Sequence, residues 1–165
     1  MFSKRVCQLL HDEHVATLRL VERLGALLER CRNAPPDGAD GLLAQLLRDI
    51  PPAMDSEMTR HFDFEEAHLF SFLAEIGDAA IGAHLAGEHE AMRPLGRKLG
   101  ALARAAAAGG FDAHGWQAFR SVAAELCDRL LTHVQKEEMV LLPLLEENLD
   151  PAADASLHEA YAVDA

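Results

Sequence analysis

Residues 58–76 read MTRHFDFEEAHLFSFLAEI, and within them Met58, His61, Glu65, Leu69, Phe72 and Ile76 recur every three or four positions. That spacing marks one face of an α-helix, the face that turns towards a core, and Met54 extends it upstream. Two of its members are a histidine and a carboxylate four residues apart, about 40° round the helix and one turn along it. A polar group on an inward face costs free energy unless it is paired, and an unpaired ionised carboxylate costs far more. This stretch therefore predicts a helix that buries something needing a partner.

Three other segments carry stripes of the same kind. The first runs Leu10, His14, Thr17, Val21, Leu24, Leu28; the third Leu85, His89, Met92, Gly96, Leu99; the fourth Phe119, Val122, Leu126, Leu130, His133, Glu137, Leu141, Leu144. Every stripe holds a histidine, and the fourth repeats the His-x-x-x-Glu pattern in His133 and Glu137. Four antiparallel helices would converge His14, His61, Glu65, His89, His133 and Glu137 on the axis of a bundle. Imidazole with carboxylate suits iron, manganese or zinc, and bundle cores are a recognised place for such sites. Taken singly, each histidine is accounted for as a hydrogen-bonded core residue and each His-x-x-x-Glu pair as a solvated helix face. Their coincidence in four apolar stripes favours metal.

The segments are separated by NAPPDGADG at 33–41, EIGDAAIG at 75–82 and AAGGFDAHG at 107–115, which have the Gly/Pro/Asp chemistry of connections. Pro51-Pro52 predicts a short helix at 39–49 and a separate main helix from about 52 to 76, because proline is costly in a helix interior. Residues 1–150 form the bundle in this reading, and 151–165, from Pro151, a tail or short docking helix. No internal repeat is visible.

The composition agrees. The 165 residues suit one domain, half of them hydrophobic, with Ala and Leu abundant and Val, Ile and Thr scarce. A formal charge of −12 excludes a basic surface for nucleic acid or an anionic bilayer and suits cationic ligands, metal ions among them. Cys7, Cys31 and Cys127 are odd in number and form no Cys-x-x-Cys pattern, which points to a reduced, cytoplasmic setting. The opening MFSKRVCQLLHDEH has neither a secretory apolar region nor a membrane span.

At HDEH (11–14), HFDFEEAHLF (61–70), GEHEAMRPL (87–95) and HVQKEEMVLLPLL (133–145) the chain resembles the hemerythrin-like, or HHE cation-binding, proteins, over about residues 5–148. The resemblance implies an all-α, up-down antiparallel four-helix bundle around two non-haem iron ions, with zinc or manganese as other metals to test. It makes His14, His61, His89 and His133 ligands and Glu65 and Glu137 carboxylate bridges. His84 is a seventh candidate, but it lies five residues before His89 where the family has four, about 140° round a straight helix. Only a local distortion, to which Pro94 is a candidate contributor, would bring it inward. In the fourth helix Glu138 competes with Glu137, and straight geometry favours Glu137. His11 and His68 read as exposed or flanking, His114 and His158 as solvent residues. Met54, Met58, Met92 and the phenylalanines read as core.

The resemblance implies a metal-binding protein that binds or senses a small diatomic, O₂ or NO, or handles iron. A di-iron oxidoreductase acting on iron centres, peroxide or NO is the alternative, so enzyme status stays open. A helical interaction module with a structural metal or none is the third reading. No nucleic-acid or membrane partner is expected, and an unidentified protein partner would carry any sensing output.

Overall fold

The computed structural model describes residues 1–163, and among them every regular element is helical. The first helix is Arg5–Arg30. The second begins at Gly41–Asp55 and continues unbroken through a π-helical segment, Ser56–His61, the turn Phe62–Phe64, a second π-helical segment, Glu65–Leu69, and Phe70–Glu75. The third is Ala79–Gly109. The fourth, Ala113–Lys136, passes through a π-helical segment, Glu137–Leu141, into Leu142–Asn148, and a terminal helix, Pro151–Val163, follows. Short links at 76–78 and 110–112 force neighbouring helices to run antiparallel. First packs on second and fourth, and third on second and fourth, which closes the all-α bundle.

Asp40 and Asp112 start the second and fourth helices by accepting free backbone N–H groups at their first turns. The first helix has no such cap of its own. Asp154 of the terminal helix supplies it, accepting from the backbone N–H of Arg5 and Val6 at 3.0 Å each.

The apolar core is in two pieces. One gathers Leu20, Leu24, Ile50, Met58, Met92 and Leu130 with their neighbours; the other gathers Leu10, Leu69, Leu85, Leu141, Leu145 and Tyr161. On the first, third and fourth helices the break between them falls at the histidine of the stripe, and on the second between Phe62 and Phe64 just beyond His61, so a polar layer crosses the bundle between two dry cores. Water is kept from both ends of that layer, which strengthens the electrostatics within it.

The second helix does not break at Pro51-Pro52. Both prolines lie within Gly41–Asp55, contrary to the split expected from their missing N–H groups. Pro51 and Ile50 are buried, and the cost of the lost bonds is offset by packing on the third helix, whose Gly100 brings its absent Cβ position to 3.8 Å from Pro51 Cα. Pro94 likewise sits inside an α-helical third helix.

Gly96 marks the tightest approach of these two helices, since a Cβ there would lie 2.4 Å from Met58 Cγ. Alanine normally stabilises a helix interior by about 1 kcal/mol over glycine. Overpacking costs about 1–3 kcal/mol, so Gly96→Ala is expected to lower stability by up to about 2 kcal/mol in urea unfolding. A stabilised variant would show that the helices part easily here.

Candidate metal centre

The polar layer is built from one histidine per helix and two glutamates. His14, His61, His89, His133, Glu65 and Glu137 are each no more than 1% exposed. Their donor atoms form two groups, each lying within 4.8 Å of one another: His14, His61, Glu65 and Glu137, and His89, His133, Glu65 and Glu137. Both carboxylates belong to both lobes. His14 Nε2 lies 3.2 Å from Glu137 Oε2 and His133 Nε2 2.9 Å from Glu137 Oε1, so Glu137 reaches across. Glu65 does the same, with Oε1 3.4 Å from His61 Nε2 and Oε2 3.4 Å from His89 Nε2.

All three π-helical segments fall here: His61 ends the first, Glu65 starts the second and Glu137 starts the third. Each adds about one residue to a turn, which re-aims side chains relative to a straight helix, and such bulges collect at functional sites.

Every Nε2 points inward because every Nδ1 is held from outside. The Nδ1–H of His14 donates to Glu138 at 2.7 Å, His61 to Glu13 at 2.8 Å, His89 to Glu66 at 2.9 Å and His133 to Glu88 at 2.9 Å. A carboxylate only accepts, so this ring fixes Nδ1 as the protonated nitrogen and leaves each neutral Nε2 a lone pair. The ring is cyclic: each helix lends a carboxylate to a histidine of the next, and the fourth closes on the first.

The donor chemistry fits a pair of cations. Among the described residues, His14 Nε2, His61 Nε2 and all four oxygens of Glu65 and Glu137 are buried without hydrogen-bond partners. His89 Nε2 and His133 Nε2 face each other at 3.0 Å, where two lone pairs repel unless a proton or cation intervenes. Phe62 stacks on His89 at 3.7 Å between ring centroids and covers one flank.

Without metal, protons do this work. Burial alone would depress His14 and His89, but Glu137 and Glu138 around His14, and Glu137, Glu65 and Glu66 around His89, push each up to about 9. Burial likewise acts against charge on Glu137, yet the charge of His133 beside it, with His14 and His89 close by, holds it well below the usual carboxylate range. Metal ligands must be deprotonated, so cations have to displace these protons.

Of the seven candidate ligands, six meet in the layer and His84 does not. It is 62% exposed on the side chain, with Nε2 3.2 Å from Lys136 Nζ and 3.4 Å from Glu88 Oε1. The third helix stays α-helical past Pro94, and five residues turn His84 about 140° away from His89. Glu138 sits outside the lobes as the acceptor for His14, and it also takes His11 Nδ1 at 3.0 Å, so His11 is half-buried and engaged. His68 is half-buried against Phe64. His114 is exposed, and His158 lies beside Arg5.

Sequence reasoning missed Glu13, Glu66, Glu88 and Tyr161. Each of the three glutamates directly adjoins an inward ligand, about 100° round the helix, on the flank that meets the next helix; that adjacency was the available signal. Tyr161 reaches in from the terminal helix, its hydroxyl donating to Glu13, its ring edge-on to Phe64 at 4.7 Å and under the Arg60 guanidinium at 4.6 Å. No spacing rule connects residues this far apart. An internal pattern also emerges: Glu-His followed by His-x-x-x-Glu-Glu occurs at 13–14 and 61–66, and again at 88–89 and 133–138.

Removing an outer carboxylate loosens a histidine without removing it. Glu88→Ala is expected to weaken cation affinity about 10- to 100-fold, while the exposed neighbour Glu90→Ala leaves it unchanged. Competition with a chromophoric chelator reads this directly, and equal affinities would dissolve the ring's role.

A helical bundle crossed by a buried, carboxylate-sharing donor layer defines a cation-binding bundle protein. The cysteines stand apart from it: burial pushes the Cys7 thiol up to about 12 and Cys127 up to about 11. The chain belongs to the hemerythrin HHE cation-binding domain family, whose model matches residues 6–108 and again 81–163. No curated protein matches it. No helix among the described residues is long and apolar enough to cross a membrane.

Proposed function

We propose that the two lobes hold a pair of iron ions bridged by Glu65 and Glu137, and that the chain uses them to bind or sense a small diatomic, O₂ or NO. The observation that supports the pair is that both carboxylates belong to both lobes, which a single-ion site does not need. Each lobe offers two imidazoles and a share of two carboxylates, fewer donors than the six that iron commonly takes. Bound iron would supply reversible redox chemistry with a coordination position left for an outside ligand.

The protein's own part is to restrict what reaches that position. The donors are nearly inaccessible and lie between two dry cores, which shuts out an extended organic substrate. Phe62 presses on the layer from the apolar side, against His89 and His133, and limits water. The four outer carboxylates keep Nε2 presented while protons are held at Nδ1.

Metal analysis of protein made in iron-supplemented medium, with visible spectra before and after dithionite and then air or NO, tests this reading. Two irons per chain and a spectrum that bleaches and returns are expected. One zinc per chain, or a spectrum that never changes, would overturn it. Steady peroxide consumption by the iron-loaded chain would favour an oxidoreductase instead.

A further inference from the structure

The Glu-His and His-x-x-x-Glu-Glu pattern gives the donor layer an approximate internal two-fold, with the first helix matched to the third and the second to the fourth. Two recesses flank the layer in equivalent places. One lies between the first and second helices and is lined by Glu13, Thr17, Ser56 and Glu57, with a volume of about 170 Å³. Its counterpart lies between the third and fourth and presents Glu88, Met92, Asp128 and Arg129 at the matching positions, with about 360 Å³.

The two differ at the residue one turn before the inward histidine. Arg129, four residues before His133, is turned out to solvent at 46% exposure and pairs with Glu125 at 3.0 Å. Glu57, four residues before His61, is turned in at 5% exposure. Its Oε2 accepts the Thr17 hydroxyl at 2.7 Å, and its Oε1 is buried with no hydrogen-bond partner among the described residues. A half-satisfied buried carboxylate is expensive unless a cation completes it. On the other side the position of Thr17 is taken by Met92, which is buried and apolar, so no hydroxyl stands at that point.

We propose that Glu57, which lies outside the four donors of the His14/His61 lobe, is an outer carboxylate that captures a divalent cation at the recess between the first and second helices and makes that lobe the first to fill. The proposal rests on the two-ion reading above. A hard oxygen donor suits a partly hydrated divalent ion, and at the one position a turn before the inward histidine the first recess carries a carboxylate where the second carries a guanidinium.

The test is uptake of Co²⁺ by the metal-free full chain, followed by stopped-flow absorbance and calorimetry. The wild type is expected to fill in two phases. Glu57→Gln should slow the first phase at least tenfold and weaken one of the two ions, with Glu57→Asp recovering part of the rate and Arg129→Ala changing neither phase. Because a variant in the interior is prone to misfold, Ala16→Arg, on the exposed rim of the same recess, gives a second reading: it should slow the first phase in a salt-dependent way. Two wild-type ions with unaltered uptake in Glu57→Gln and Ala16→Arg would overturn the capture role alone. A wild-type chain that takes up no pair of ions would overturn the two-ion reading and this one with it.

Discussion

Glu65→Ala is expected to empty both lobes, whereas His14→Ala empties one and His68→Ala neither. The order follows from membership. Glu65 lends one oxygen towards His61 and the other towards His89, so its loss removes a donor from each lobe and the link between them. His14 belongs to one lobe, and His68 to none. The loss should exceed the roughly 10- to 100-fold expected for an outer carboxylate such as Glu88, because a ligand is removed and its histidine partners are left facing a void. Metal content per chain after gel filtration decides it. Equal metal in Glu65→Ala and His68→Ala would count against Glu65 as a ligand.

Stripping the metal is expected to cost the fold more than any single surface substitution, and the loss should grow with pH. At free metal about a thousand times Kd, binding to the folded state alone contributes about 4 kcal/mol. For a chain of this size that is a fall in Tm of roughly 8–16 °C. In the metal-free chain the buried carboxylates are balanced by protonated histidines. His14 and His89 are raised to about 9, so the stability their charged forms contribute is fully present below the ordinary histidine value near 6.5 and is lost as pH rises through about 9. Metal binding runs the other way, since it releases those protons and strengthens as they become easier to remove. The gap in Tm between loaded and stripped protein should therefore widen between about pH 6.5 and 9. A gap that stays constant would mean that protons and cations do not compete for these atoms.

The helix-spaced stripes made the bundle legible, because inward positions on a helix repeat in the residue order itself. They also named six of the residues that meet in the layer, since a histidine or carboxylate on an apolar face stands out wherever it occurs. His84 was carried by likeness to a motif, and the straight third helix put it on the surface. Pro51-Pro52 misled for the opposite reason: the penalty is local, but its compensation is the packing of Pro51 near Gly100 on another helix.

By itself the sequence determined which faces turn inward and which chemistry they carry, because both are properties of residue type and helical period. Only the tertiary structure decided how the groups pair: that Glu65 and Glu137 are shared, that Glu13, Glu66, Glu88 and Glu138 form a ring around the histidines, and that Tyr161 reaches Glu13. It also decided that Glu57 points in where Arg129 points out. These are contacts between helices, set by crossing geometry and by π-helical turns that the local sequence does not announce.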